Sequence, residues 1–321
     1  MSPSSPLTLV VQQRISEAEG IVAFRLARAG GGVLPGFDAG AHIDVQAGAG
    51  RVRQYSLTNP GPRPFHYEIA VLREQHSRGG SVFMHDELAL GMQVLAGEPR
   101  NHFPLVDGVP ALLFAGGIGI TPVIAMAEQL AARGRAFELH FCTRSRSRAA
   151  FIGRLAKAPY ATSVNFYFDD EAQQLDVRSV ISRAGPEHHL YACGPGGFIE
   201  HVLEIAKQVG WDSSRLHREF FSAPPPHDMP EAAKSFELQL ASSGRCLVVP
   251  AEKSALAVLQ EAGIDVPSSC ESGVCGTCIT RVLEGVPDHR DVYLTDEEHA
   301  KNDCFAPCCS RSLSGRLVLD L

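Results

Sequence analysis

Through the first hundred residues, apolar side chains come in short runs at 7–11, 21–27, 42–45, 51–57 and 65–72, separated by turns rich in Gly and Pro. This pattern predicts strands, and strands at such spacing build an antiparallel barrel or sandwich. From residue 111 the pattern changes. An apolar run at 111–115 is followed by a helical stretch at 121–132, a strand at 137–141, further strands at 163–168 and 189–193, and helices near 176–182 and 196–209. Strand and helix in alternation predict a parallel, doubly wound sheet.

A third change comes at 222–230, where four prolines fall in nine residues. Such a segment continues neither a helix nor a central strand and reads as a semi-rigid linker. Beyond it, alternating Phe236, Leu238 and Leu240 open another strand pattern, and a helix is expected around 254–262. The reading is therefore a multidomain chain: an antiparallel β-barrel over 1–107, an α/β doubly wound domain over 108–222, a linker at 223–233 and a small α+β domain over 234–321.

Size and composition agree. The chain has 321 residues, about twice one typical domain, with 45% apolar and 20% charged residues. No window reaches the roughly 18 consecutive apolar residues of a membrane span, and the first residues lack the basic and apolar segments of a secretory signal, so a cytoplasmic protein is expected. The net charge is −7 and Lys and Arg form no long run, so neither nucleic acid nor a membrane surface is an expected partner. Most of the negative charge sits at the end: residues 232–321 hold 8 basic against 13 acidic side chains.

Six of the nine cysteines also lie in the last 52 residues. Cys270, Cys275 and Cys278 have the C-x4-C-x2-C spacing of plant-type [2Fe–2S] ligation, with a more distant cysteine needed as the fourth ligand. Ser272, Gly273, Gly276 and Thr277 leave room for backbone N–H groups to approach the sulfurs. Zinc also accepts four thiolates, but its motifs use paired C-x2-C units, and this loop has only one. Cys304, Cys308 and Cys309 all compete for the fourth position.

Two glycine-rich segments lie upstream. Gly116-Gly117-Ile118-Gly119-Ile120-Thr121-Pro122 follows a predicted strand and opens a helix, where a dinucleotide pyrophosphate can approach the backbone. It is not the standard G-x-G-x-x-G fingerprint. Arg78-Gly79-Gly80-Ser81 precedes a helical pattern at 82–88 and suits a phosphate in the same way, although alone it is an ordinary turn and cap.

Taken together these motifs carry a resemblance. The pair Gly116 to Pro122 and Tyr191-Ala192-Cys193-Gly194-Pro195 resembles the pyridine-nucleotide domain of the ferredoxin–NADP reductase superfamily, and Arg53-Gln54-Tyr55-Ser56 looks like its R-x-Y-S flavin motif. The cysteine loop, Asp288-His289-Arg290-Asp291 and Cys308-Cys309-Ser310-Arg311 are similar to the C-terminal ferredoxin domain of the phthalate dioxygenase reductase family. The resemblance runs from about residue 7 to 321 in the order flavin, nicotinamide, ferredoxin.

The resemblance implies Cys308 as the fourth cluster ligand beside Cys270, Cys275 and Cys278, leaving Cys304 and Cys309 as spare thiols. It assigns Arg53, Tyr55, Ser56, Val71, Arg73, Gly79, Gly80 and Ser81 to the flavin, FMN by family likeness alone, with Phe221 as the ring that covers it. Gly116, Gly117, Gly119, Thr143, Arg144, Cys193, Gly194 and Pro195 would hold the dinucleotide. Ser56, Thr121 and Cys193 would lie at the reacting rings. Arg144, Arg146 and Arg148 raise the question of NADPH, because an Arg can hold a ribose 2′-phosphate, but they also suit a solvated helix start. The family implies NADH.

NADH delivers two electrons as hydride and a [2Fe–2S] cluster accepts one, so a flavin is needed between them. The resemblance thus implies the reductase of a two-component Rieske non-haem iron oxygenase, with the terminal oxygenase as partner and a monomer as the expected state. The alternatives are a reductase of the same architecture that serves another acceptor, such as a haem monooxygenase, and a redox-sensing regulator without turnover.

Overall fold

The computed structural model describes residues 6–48, 51–59, 61–74, 79–221 and 234–321. The proline-rich linker and Arg78 lie outside the described residues. The chain divides into two compact units, Met1–Glu219 and Phe220–Leu321.

The first unit opens with strands β1 (Leu7–Ala18), β2 (Ile21–Arg28), β3 (Ala41–Gln46), β4 (Val52–Ser56) and β5 (His66–Leu72). Helix α1 (Gly80–Asp86) and strands β6 (Gln93–Ala96) and β7 (Arg100–Asn101) follow. They form one curled sheet in the order β4-β3-β6-β1-β2-β5, with β7 beside β3 and antiparallel pairing throughout the recorded registers. Leu9, Phe24, Leu26, Ile43, Leu57, Tyr67 and Ile69 fill its inside, each fully buried. The expected first strand ends at Val11, but β1 continues to Ala18. Its apolar alternation stops at Val11, yet the polar residues beyond still pair with β2 across two bulges. Helix α1 begins two residues before the pattern that predicts it.

The same unit contains β8 (Ala111–Gly116), α2 (Ile120–Ala132), β9 (Phe137–Thr143), α3 (Ile152–Lys157), β10 (Val164–Phe168), α4 (Val177–Arg183), β11 (His189–Gly194), α5 (Gly196–Gln208) and β12 (Leu216–Phe220). Strand order is β10-β9-β8-β11-β12. β10, β9, β8 and β11 run parallel. Strand order reverses between β8 and β11, the point where open α/β sheets bind ligands at their carboxyl ends. β8 is buried at every residue, as a strand covered by helices on both faces must be.

The second unit holds β13 (Phe236–Leu240), β14 (Cys246–Val249), α6 (Ala255–Glu261), β15 (Thr280–Glu284), β16 (Pro287–Asp288), α7 (Asp296–Lys301), β17 (Cys304–Phe305), β18 (Arg311–Ser312) and β19 (Arg316–Leu319). The mixed sheet β14-β13-β19-β15-β17 packs Leu238, Phe305, Leu317 and Leu319 against Leu256 and Leu259 of α6. Arg311 is buried across this core. Its guanidinium donates to the carbonyls of Lys253, Lys234 and Pro250 at 3.0–3.1 Å and lies over the Phe236 ring.

Candidate active site and cofactor sites

At the end of β8, the motif around Gly116 meets the motif after β11. Ala115 pairs with Cys193 in the ladder, and a Cβ at Gly116 would lie 2.9 Å from Pro195 Cδ and 3.0 Å from the Phe198 ring. A Cβ on Gly119 would collide with the Cys193 carbonyl, and one on Gly194 would lie 2.8 Å from Gly116 Cα. These glycines are therefore required by backbone packed against backbone. Gly117 differs: its φ is +54° and a Cβ there would meet only open space. That half-buried, left-handed corner of backbone at a helix start, with open space beside it, fits an approaching pyrophosphate. Thr121 is buried in the first turn of α2 and donates to the Ile118 carbonyl at 3.0 Å, which fixes the loop.

Cys193 is fully buried, and burial, reinforced by the charge of Glu219, pushes its thiol well up. Glu219, on β12, opens the Glu219-Phe220-Phe221 segment that resembles the family's E-x-F ending, in which only the ring of Phe221 is assigned a role from sequence. Its carboxyl Oε2 is buried with no hydrogen-bond partner among the described residues, and burial pushes the acid up to about 8. An unpartnered buried carboxyl oxygen beside Cys193 fits a site completed by a bound ring system. Phe221 is 38% exposed just beyond β12.

Thr143 is buried at the end of β9 and donates to the Ser145 carbonyl at 2.9 Å, while Arg144 is exposed. The neighbouring arginines are committed. Arg146 pairs with Glu171 at 3.2 Å and lies over Phe168, and Arg148 pairs with Glu19 at 2.7 Å.

In the curled sheet, β3 and β4 pair Tyr55 with Ile43 and Ser56 with His42. Ser56 is buried, and burial pushes the Tyr55 phenol up. Gly79 takes the left-handed conformation at the start of α1, with φ +100°, where a Cβ would lie 3.3 Å from the Arg51 guanidinium carbon. A Cβ on Gly80 would lie 2.8 Å from Arg53 Cγ. Two arginine side chains thus converge on the Gly79-Gly80 backbone, a donor set suited to a phosphate. Arg51 is a residue that the sequence reading missed. Ser81 Oγ accepts the Glu74 amide at 3.1 Å. Val71 is 2% exposed and belongs to the barrel core, against which Tyr55 packs. Arg73 is held by Asp86 at 2.5 Å.

In the second unit the loop after α6 brings its cysteines together. Cys270 is hydrogen-bonded to Cys275, and Cys278 to Cys308. The Ser272 amide donates to Cys270 Sγ at 3.4 Å, and the Val274 amide also reaches that sulfur. Cys308 receives the Gly273 amide, and Cys278 the amide of Cys308. The Cys275 thiol approaches Thr277 Oγ1 at 3.2 Å. Four sulfurs in a ring of backbone N–H donors match what a negatively charged iron–sulfur cluster needs. Positive φ at Glu271, Gly273 and Gly276 gives the loop its curl. Cys309 packs against the position a Gly273 side chain would occupy, at 2.6 Å, and is bonded to the Ala306 carbonyl at 3.8 Å. Cys304 lies on β17.

The fold and these sites define an oxidoreductase that moves electrons from pyridine nucleotide through a flavin to a [2Fe–2S] cluster. Residues 238–313 match the 2Fe-2S iron-sulfur cluster binding domain. The chain is 52% identical over 307 residues to the vanillate O-demethylase oxidoreductase of Pseudomonas sp. strain HR199, covering 95% of this chain and 96% of that one. Among solved structures it matches phthalate dioxygenase reductase, described as a modular structure for electron transfer from pyridine nucleotides to [2Fe–2S], with a TM-score of 0.78, 37% identity and coverage of 99% and 98%. It also matches an intact type IV self-sufficient cytochrome P450 monooxygenase, with a TM-score of 0.83 and 38% identity, over 98% of this chain and 41% of that longer one. The chain belongs to the phthalate dioxygenase reductase family, the reductase components of oxygenase systems. Among the described residues, no helix is long and apolar enough to cross a membrane.

Proposed function

We propose that this reductase takes electrons from NADH through FMN and the [2Fe–2S] cluster to the terminal Rieske oxygenase of a two-component system. The observation that carries the reading is the coincidence, in one chain, of the paired glycine motifs, the arginine-lined Gly79-Gly80 turn and the four converging cysteines. When bound, the flavin converts a two-electron donor into single-electron steps.

The protein's own groups bind and orient. Residues 1–107 form the flavin segment, in which Arg53, Gly79, Gly80 and Ser81 hold the phosphate, Tyr55 packs on the ring, Ser56 faces its reactive nitrogen, and Val71 and Arg73 flank the pocket. Residues 108–222 form the nucleotide segment, in which Gly116, Gly117, Gly119, Gly194 and Pro195 admit the pyrophosphate and Thr143 with Arg144 the adenosine half. Thr121 and Cys193 border the nicotinamide, Glu219 keeps a proton on its buried carboxyl at neutral pH, and Phe221 closes over the flavin. After the linker at 223–233, residues 234–321 carry the cluster on Cys270, Cys275, Cys278 and Cys308. The excess of acidic groups there suits a basic surface on the acceptor. The reading extends to a cytoplasmic monomer.

The match to a self-sufficient cytochrome P450 favours one second reading, in which the acceptor is a haem monooxygenase. The test of electron order is Cys275→Ser. It should abolish delivery to the oxygenase while NADH still reduces the flavin, and loss of both would contradict the order. Cys308→Ser should likewise lose iron and labile sulfide, whereas Cys309→Ser and Cys304→Ser should keep them.

A further inference from the structure

Arg154, on α3, joins the two halves of the first unit through one guanidinium. Its Nη1 donates to Glu68 Oε1 on β5 at 2.6 Å and its Nη2 to the Thr58 carbonyl at 2.9 Å. Nε donates to Glu128 Oε1 on α2 at 2.8 Å. Thr58 stands two residues after Ser56 on the continuation of the flavin strand. Glu128 stands two helical turns after Thr121, on the helix that begins with the nicotinamide loop.

The Glu68 and Thr58 end of the clamp is itself fixed. Glu68 accepts the Thr58 hydroxyl at 3.0 Å and pairs with Arg25 at 3.6 Å, and its amide donates to Asn59 Oδ1 at 2.8 Å. The carboxylates of Glu68 and Glu128 are only 15% and 18% exposed. Charge-assisted hydrogen bonds with so little water around them are strong and geometrically specific. The chain leading to Arg154 is stitched to the barrel as well. Phe151, in the left-handed region at φ 61°, gives its amide to Glu17 at the end of β1, and Glu19 takes Arg148. A bulky residue held at positive φ persists only where its surroundings over-determine it.

We infer that Arg154 is a positioning residue for hydride transfer, clamping the nicotinamide helix at Glu128 to the flavin strand at Thr58 and Glu68. The inference rests on the proposed function. Hydride transfer requires reacting atoms about 3–3.5 Å apart, and a misplacement of about 1 Å costs on the order of a hundredfold in rate. A bracket that touches both binding segments but no bound ring sets that distance without contributing to affinity.

The test uses the flavin- and cluster-loaded protein in anaerobic stopped flow. Arg154→Met alone leaves two buried carboxylates facing each other and threatens folding, so the decisive variant is the triple R154M/E68Q/E128Q, with Arg154→Lys beside it. The triple variant should reduce its flavin at least about tenfold more slowly at saturating NADH, with NADH affinity within about threefold. It should also lose the long-wavelength charge-transfer absorbance between flavin and nicotinamide and show a larger isotope effect with 4-deuterated NADH. Arg154→Lys should fall between. A triple variant with the unaltered limiting rate and full charge-transfer absorbance would overturn the inference. A wild-type protein whose bound flavin NADH does not reduce would instead overturn the function on which it rests.

Discussion

The ring of Tyr293 lies directly against Gly276, and a Cβ on that glycine would collide with its Cζ edge. Gly276 also sits at φ +69°, between Cys275 and Cys278, so two separate constraints exclude a side chain there. Tyr293 is 38% exposed, while Cys275 and Cys278 are only 7% and 4% exposed. One half-exposed aromatic ring thus covers the point where the cysteine loop would otherwise open to water.

Gly276→Ala should therefore cost the loop its closed form. The left-handed backbone alone costs about 1–2 kcal/mol for a residue with a Cβ, and displacement of the ring adds to it. The expected outcome is at least about a twofold fall in iron and acid-labile sulfide per chain, with flavin content unchanged because the residues proposed to hold its phosphate, Arg53, Gly79, Gly80 and Ser81, lie in the other unit. Full cluster occupancy in this variant would show that the loop adapts.

Burial of neutral imidazoles predicts a stability loss on the acid side. Burial, then Arg100 and His102, push His42 down to about 4, and burial with His189 does the same to His217. His189 Nδ1 and His217 Nε2 are 2.8 Å apart, and the His217 ring stacks on Tyr191 at 4.5 Å. A histidine whose folded value is depressed binds its proton more readily when unfolded. Its contribution is therefore complete above about pH 6.5 and is lost as pH falls toward about 4. For His42 the loss is about 3 kcal/mol at most. Thermal unfolding of the wild type should drop steeply over this window, and His42→Asn and His217→Asn should each flatten the slope. Parallel curves for all three proteins would remove both imidazoles as the cause.

What was legible in the sequence was chemistry written in contiguous residues. The cysteine spacing, the Gly116 to Thr121 loop and the Cys193-Gly194-Pro195 turn each carry their geometric need in adjacent positions, because only glycine tolerates backbone against backbone. The roles that sequence does not show depend on non-local pairing. Glu219 reads only as the start of an E-x-F segment until β12 joins the sheet and buries its carboxyl. Arg154 lies on a six-residue helix with no clear apolar period, and its partners are 26, 86 and 96 positions away. Arg51 falls at the margin of a strand and acquires meaning only when Gly79 folds against it.

Glu219 yields the prediction of opposite sign. Its carboxyl is pushed up to about 8 by burial, so the folded protein favours the protonated acid well above the usual carboxylate range. A raised carboxyl is fully accommodated below its unfolded value near 4.5, and its contribution to stability is lost as pH rises through about 8. Glutamine keeps the shape and cannot ionise. Glu219→Gln should therefore gain stability relative to the wild type between about pH 5 and 8, a trend that the histidines, acting at lower pH, do not imitate. The buried Cys193 thiol supplies a second readout. The charge of Glu219 contributes to holding that thiol up, so its removal should make Cys193 more reactive toward a small alkylating reagent at pH 8 to 9, measured by mass spectrometry of the modified peptide. Equal alkylation rates, together with stability curves of the two proteins that run parallel across the whole range, would mean that Glu219 ionises freely in the folded chain and is not the buried acid beside the nicotinamide site.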